Sequence, residues 1–196
     1  MRHLYLIRHA TPTIRPELPA REWTLSERGI QEAQVLAGTA ESWGLEALYT
    51  SNERKARGTA LVIGDALGLN VNVIDAFGEL RIPEWISNAD EFNMLVRSVL
   101  EGTAPERKIH LDPLIEQRTA ESAGAAAQRF ADGVALVEAG AFPAAIVSHG
   151  RILTSYLMRT IGLEAPFDFW RAIPMPSWAC IDLDAPKIGL VVPFTA

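Results

Sequence analysis

Cysteine is almost absent from this sequence, in which Cys180 is the only one among 196 residues. A single thiol excludes an intramolecular disulfide framework and a cysteine-rich zinc site. No uncharged apolar run reaches the roughly 18 residues that a membrane-spanning helix needs, so we expect no membrane segment. The first apolar run ends at Arg8, and no small-residue cleavage site follows it, so no secretory leader is predicted. These absences together favour a cytoplasmic protein.

Positive charge is also in short supply, because 18 Lys and Arg residues stand against 24 Asp and Glu, for a net charge of -6. A nucleic-acid backbone requires a broad basic surface, so this balance argues against nucleic-acid binding. Internal repeats and low-complexity tracts are missing as well. The length favours one domain over residues 1–196, with a lid or specificity region at about residues 80–120.

What the chain does contain is an alternation of strand and helix patterns, closed by a hairpin pattern. The predicted strands cover residues 3–7, 45–49, 71–74, 144–147, 178–183 and 189–194. The predicted helices cover residues 30–43, 90–100, 120–138 and 152–161, and one that runs from a Thr50–Glu53 capping box to Leu67. This order predicts an α/β fold: a three-layer α/β/α sandwich whose mostly parallel sheet carries antiparallel edge strands.

Two histidines and a basic helix start follow predicted strands. Arg8 and His9 come directly after the first strand, and His149 follows the buried strand at residues 144–147. Thr50 ends another strand and opens the helix that carries Lys55. Ligands of open α/β sheets bind at the carboxyl ends of the strands, so we expect these places to meet at one site.

These residue types suit an anion with a nucleophile beside it. Arg8 offers a planar fork of donors, Lys55 a point charge and helix N-termini their unpaired N–H groups. We expect His149 to donate a hydrogen bond to the same anion. Phosphate fits such a pocket, and His9 would stand ready to attack phosphorus, because phosphoryl transfer needs mainly positioning and charge stabilisation.

Three motifs resemble those of the histidine phosphatase superfamily, which includes the cofactor-dependent phosphoglycerate mutases. Residues Leu4–Ala10 resemble its Arg-His-Gly signature, and Leu25–Ala33 resemble its Leu-Thr-Glu-x-Gly-x-x-Gln-Ala helix start. Residues Val147–Gly150 are similar to its second-histidine motif. They occur in the family's order over most of the chain.

The resemblance implies a Rossmann-like α/β/α sandwich that uses no metal or other cofactor. It implies that His9 is phosphorylated and that Arg8 and His149 bind the phosphoryl group. It also implies that Glu79 donates a proton to the leaving oxygen, with Glu84 close by as the alternative acid. A phosphate dianion beside that carboxyl group is expected to raise its pKa.

The chain departs from the family pattern at the second phosphate-binding arginine. Its Thr50–Ala60 segment resembles the family's Ser-Ser-x-x-x-Arg-Ala-x-x-Thr-Ala, and Lys55 takes the place of the arginine. The charge is kept but the fork is lost. Arg54 would compensate, although on a regular helix it points about 100° away from Lys55. Ala10 replaces the glycine of the signature, and Pro12 replaces a threonine.

The leading hypothesis is a phosphomonoesterase that acts on a small phosphorylated metabolite. Mutase-type phosphoryl transfer and a phosphate-binding protein without catalysis stay open as alternatives. A metal hydrolase using His9, His149 and a carboxylate such as Asp75 or Glu79 is disfavoured, because the fixed charge of Arg8 would repel a divalent cation. The sequence leaves the substrate and the oligomeric state undetermined.

Overall fold

The computed structural model describes residues 2–82, 88–102, 120–185 and 189–196. Its strands are β1 (His3–Arg8), β2 (Ala47–Thr50), β3 (Val71–Val73), β4 (Ala144–Ser148), β5 (Ser177–Asp182) and β6 (Leu190–Thr195). They form one sheet in the order β3-β2-β4-β1-β5-β6. The first four pair in parallel, whereas β5 and β6 are antiparallel and lie at one edge. The mostly parallel sheet with antiparallel edge strands is confirmed.

The described helices are α1 (Glu27–Ala40), α2 (Arg54–Leu67), α3 (Ala89–Leu100), α4 (Ala123–Val137), α5 (Gly150–Ile161) and α6 (Pro166–Ala172). The first five confirm the predicted helices, with shifts of a few residues at their ends. None of the described helices is long and apolar enough to cross a membrane.

Apolar side chains cover both faces of the sheet. Leu4 and Leu6 of β1 belong to a buried cluster with α4 and α5, whereas Tyr5 and Ile7 belong to a second cluster with α1 and α2. Successive strand residues point to opposite faces, which explains this division. The arrangement confirms the three-layer α/β/α sandwich.

Strand β4 lies between β2 and β1, and all five of its residues are buried. A strand that is covered on both faces shows a continuous apolar run rather than an alternating one. The pattern Ala-Ala-Ile-Val therefore indicates the centre of the sheet.

Helix α6 was not predicted from the sequence, and it contains Trp170. The helix has seven residues and starts with Pro166, after Ala165 at a φ of 45°. Proline suits the first helical position, but so short a helix shows too few turns for its period to be read. The alternative acid Glu84 and residues 83–87 and 103–119 of the predicted lid lie outside the described residues.

The register of the central strands brings their carboxyl ends to one edge of the sheet. Arg8 pairs with Ser148 of β4 on one side and with Ser177 of β5 on the other, and Thr50 pairs with Val147. The residues that follow β1, β2 and β4 therefore lie side by side.

Candidate active site

His9 is held in one tautomer by its own loop. Its backbone N–H donates to Ser148 O at 3.0 Å, and its Nδ1 lies 2.8 Å from Ala10 O. A carbonyl oxygen only accepts, so Nδ1 carries the hydrogen and the lone pair of the neutral ring is on Nε2. Burial, and then the neighbouring His149, lower the pKa of His9 well below 6.5. His9 is therefore neutral at pH 7, with Nε2 available as a nucleophile.

His149 stands beside it at the end of β4. It is fully buried, its ring centroid lies 5.1 Å from that of His9, and its Nε2 lies 2.7 Å from Ser51 Oγ. Burial lowers the pKa of His149 to about 3, against the opposing charge of Glu79. The ring is neutral and retains one N–H, and Nδ1 has no hydrogen-bond partner among the described residues.

Arg8 reaches across the carboxyl end of the sheet. Its Nη1 donates to Ile173 O, and its buried Nε has no partner in the described part of the chain. Gly150 explains why the second-histidine motif ends in glycine: a Cβ there would lie 3.1 Å from Arg8 Nε and 3.0 Å from the Trp170 ring. Any side chain at that position would press on the guanidinium.

Lys55 lies in the first turn of α2 and is only 6% exposed. Its Nζ donates to Ala20 O at 2.8 Å and lies 2.5 Å from Glu53 Oε2. The carboxylate of Glu53 thus accompanies the ammonium group, and the phosphate-binding role of Lys55 stays a prediction.

Glu53 is a site residue that the sequence pattern failed to reveal. The predicted capping box is wrong, because α2 begins at Arg54 with Glu53 itself as the N-cap residue and no side-chain cap. Its Oε1 instead accepts from the backbone N–H of Glu79 at 2.7 Å and lies 3.6 Å from His149 Nε2. A glutamate two residues before the lysine of the motif is the sequence signal that could have indicated this contact.

Arg54 points away from this group. Its Nε lies 2.9 Å from Glu22 Oε2, and its side chain is 62% exposed. The direction agrees with the angle of about 100° between successive residues on a helix. Its phosphate-binding role stays a prediction.

The carboxylate of Glu79, a residue between β3 and α3, lies next to the N-terminus of α5 in space. Its Oε1 accepts from the N–H groups of Leu80 at 2.8 Å and Ile152 at 2.9 Å, and its Oε2 lies 3.2 Å from Arg151 Nε. Burial raises the pKa of Glu79, but Arg151, His149 and the backbone donor together outweigh burial and lower that pKa to about 2. Glu79 is therefore a carboxylate at neutral pH, and its protonation as an acid requires a change in its surroundings.

Four buried polar atoms have no hydrogen-bond partner among the described residues: Arg8 Nε, His149 Nδ1, Arg151 Nη1 and Ser177 Oγ. Buried polar groups are normally paired, so a group of unpaired ones calls for an explanation. They belong to neighbouring residues at the carboxyl end of the sheet, and guanidinium, imidazole and hydroxyl groups are suitable donors to an oxyanion. Within the described ranges, no set of three or more His, Cys, Asp or Glu side chains is arranged to hold a metal ion.

The family model of the histidine phosphatase superfamily (branch 1) matches residues 4–192. The chain belongs to this superfamily. The predicted family and a histidine-phosphatase-type enzyme are thereby confirmed. A comparison with curated proteins found no match.

Solved structures share the fold of this chain over nearly its whole length. Native mycobacterial glucosyl-3-phosphoglycerate phosphatase is 22% identical with a TM-score of 0.69, and the match covers 97% of each chain. The same phosphatase with inorganic phosphate is 21% identical with a TM-score of 0.71, over 98% of this chain and 96% of that one. A phosphoserine phosphatase mutant from Entamoeba histolytica, in complex with phosphoserine, is 20% identical with a TM-score of 0.71, over 100% and 98%.

The Leu-Ser-Glu-Arg-Gly motif of this histidine phosphatase supports the loop after His9. Ser26 caps α1 by accepting from the Gly29 N–H at 3.0 Å, and its own hydroxyl donates to Thr11 O at 3.0 Å. Glu32 Oε2 accepts from the Thr11 N–H at 3.1 Å, and Thr59 Oγ1 accepts from the Ala10 N–H at 3.0 Å. Side chains of Ser26 and α1, together with Thr59 of α2, thus fix the backbone of the loop that follows His9.

Proposed function

We propose that this protein is a phosphomonoesterase that hydrolyses small phosphorylated metabolites through a phosphohistidine at His9. The geometry of His9 carries the proposal: a neutral imidazole with its Nδ1 hydrogen committed to Ala10 O and its Nε2 lone pair unprotonated. Arg8 and His149, with Lys55 beside them, supply donors and positive charge for the phosphoryl oxygens.

In the first step, His9 Nε2 attacks phosphorus, a P–N bond forms and the ester P–O bond breaks. The electron pair leaves with the ester oxygen, which takes a proton from Glu79. In the second step, water attacks phosphorus and gives its proton to Glu79, the P–N bond breaks, and inorganic phosphate leaves. Both steps place negative charge on the equatorial oxygens, which Arg8, Lys55 and His149 are arranged to stabilise.

The substrate is proposed only by class. The structural neighbours are named as phosphatases of glucosyl-3-phosphoglycerate and of phosphoserine, and both ligands are small phosphorylated metabolites. Helix α3 of the predicted lid contacts the site region through Phe92, whose ring centroid lies 6.1 Å from that of Trp170. We propose that the chain forms a single domain. Within it, this contact would help to enclose the part of the pocket that holds the leaving group of the ester. A cytoplasmic location stays a prediction from the sequence.

The first test is hydrolysis of p-nitrophenyl phosphate, followed by a panel of small phosphate esters. His9→Ala is expected to lower turnover at least about 1,000-fold, because it removes the nucleophile. The matched control is His3→Ala, at the opposite end of β1 and about 20 Å away, which is expected to retain turnover. Retention of most activity in His9→Ala would contradict the mechanism. Recovery of an isomerised ester without free phosphate would favour a mutase, and binding without turnover would favour a phosphate-binding protein.

A further inference from the structure

We propose that Arg151 is a further residue of the phosphoryl site, and that the bound phosphate ester draws it away from Glu79 so that Glu79 takes up a proton. The proposal rests on the proposed function, because it assigns the phosphoryl group to the pocket at His9. Glu79 would then be protonated, and able to act as the proton donor, only when a substrate is bound.

Arg151 occupies the second position of α5, directly after the His149-Gly150 pair. Its side chain is 12% exposed, and its Nε lies 3.2 Å from Glu79 Oε2. Its guanidinium carbon lies 5.4 Å from the centroid of the Phe92 ring, a cation–π contact from α3. Nη1 is buried and has no partner among the described residues. An unpaired guanidinium nitrogen beside the phosphate-binding residues is a donor that an oxyanion would satisfy.

The two oxygens of Glu79 are held differently. Oε1 accepts from the backbone N–H groups of Leu80 and Ile152, which are fixed by the chain. Oε2, within the described residues, accepts from the backbone N–H of Arg151 at 3.4 Å, and its one side-chain partner is Arg151 Nε, with which it forms an ion pair at 3.2 Å. A turn of the Arg151 side chain would therefore remove the ion pair and leave Oε2 with one long backbone contact, while Oε1 keeps its two shorter ones. Oε2 is thus the oxygen that can gain a proton.

Among the described residues, the charges that face Glu79 come from four helices and strands. They are Arg8 after β1, Glu53 and Lys55 at the start of α2, Arg129 of α4, and His149 and Arg151 at the start of α5. Arg129 is paired with Glu121 at 2.8 Å, and His149 is neutral. Within the described part of the chain, three cations then oppose the carboxylates of Glu53 and Glu79, which leaves one positive charge in excess among these groups.

Binding of a dianionic phosphoryl group would change the net charge of these groups from +1 to −1. Uptake of one proton restores neutrality, and Glu79 Oε2 is the place for it once Arg151 has moved to a phosphoryl oxygen. The field of Arg151 already reaches the other groups of the site: after burial, it contributes to the lowered pKa of Arg8 and of His149. The proton comes from solvent and passes to the ester oxygen when the P–O bond breaks.

Tungstate is the probe for this exchange, because it is a tetrahedral dianion at pH 8 and carries no proton of its own. Calorimetric titration in two buffers of different ionisation enthalpy counts the protons taken up on binding. We expect uptake of close to one proton by the unaltered protein and close to none by Glu79→Gln. Absence of uptake in the unaltered protein, or equal uptake in Glu79→Gln, would overturn the proposal.

Arg151→Gln tests the new contact itself. Loss of a charge-assisted hydrogen bond is expected to weaken tungstate binding about 10- to 100-fold. Arg159→Gln, the same charge change on the exposed face of α5, is expected to bind tungstate like the unaltered protein, and Arg151→Lys should recover part of the loss. Equal affinity of Arg151→Gln and Arg159→Gln would refute the role of Arg151. Each variant is checked by its thermal unfolding.

Neither experiment requires turnover, so the two proposals fail separately. A protein that shows both tungstate results but never forms phosphohistidine contradicts the proposed function and leaves the exchange at Glu79 supported.

Discussion

At the scale of single residues, the site differs from the family pattern in how its second cation is held. Lys55 replaces an arginine, and Glu53 lies 2.5 Å from its ammonium group. Part of the Lys55 charge is therefore already balanced before a phosphate ester binds. Arg8 is consequently expected to provide the main bidentate contact.

This arrangement predicts the result of removing Lys55. Lys55→Met is expected to lower kcat/KM about 10- to 100-fold, because one charge-assisted contact to the phosphoryl group is lost. Lys55→Arg keeps the charge and should stay within about tenfold of the unaltered enzyme. Arg57→Met, on the exposed face of the same helix, is the matched control. An unchanged kcat/KM in Lys55→Met would show that Lys55 makes no contact with the substrate.

Buried His149 links stability to pH. Its pKa is about 3 in the folded protein and about 6.5 when unfolded, so the unfolded state binds the proton first as the pH falls. Stability from the neutral ring is thus full above pH 6.5 and is lost progressively between pH 6.5 and pH 3.

Urea unfolding between pH 6.5 and 4.5 measures this loss. We expect His149→Gln to reduce the pH slope of the free energy of unfolding by about 1.4 kcal/mol per pH unit. Identical slopes in the variant and the unaltered protein would mean that His149 is not buried as a neutral ring.

At the scale of elements, the start of α1 is packed against the loop that follows His9. A Cβ at Gly29 would lie 2.0 Å from Thr11 O, which is backbone and cannot rotate away. At Gly38, in the same helix, a Cβ would meet nothing within 4 Å. Close packing thus requires glycine at position 29, whereas position 38 has room for a side chain.

Alanine at each position separates these roles. Gly29→Ala is expected to lower the free energy of unfolding by about 1–3 kcal/mol through overpacking, and to lower kcat/KM because Thr11 follows His9 by two residues. Gly38→Ala should raise the free energy of unfolding by about 0.5–1 kcal/mol through helix propensity. Denaturant titrations of both variants provide the check. A stabilised Gly29→Ala would contradict the close contact.

At the scale of the whole molecule, sequence patterns predicted the order of strands and helices because each long element repeats its apolar residues with its own period. They also brought Arg8, His9 and His149 together, since Arg8 ends β1 and the two histidines follow strands that end at the same edge. Glu53 and Arg151 were not recognised as site residues, because their roles come from contacts with residues distant in sequence. Helix α6 was missed because it is too short to show a period.

The central claim is that His9 carries the phosphoryl group during turnover. The most direct measurement mixes the protein with p-nitrophenyl phosphate, quenches the reaction in alkaline denaturant, and locates the added phosphoryl group by mass spectrometry of the peptides. We predict one phosphoryl group on the peptide that contains His9, stable in base, lost in acid and absent from His9→Ala. Turnover with no phosphoryl group at His9, or with the group on another residue, would contradict the account.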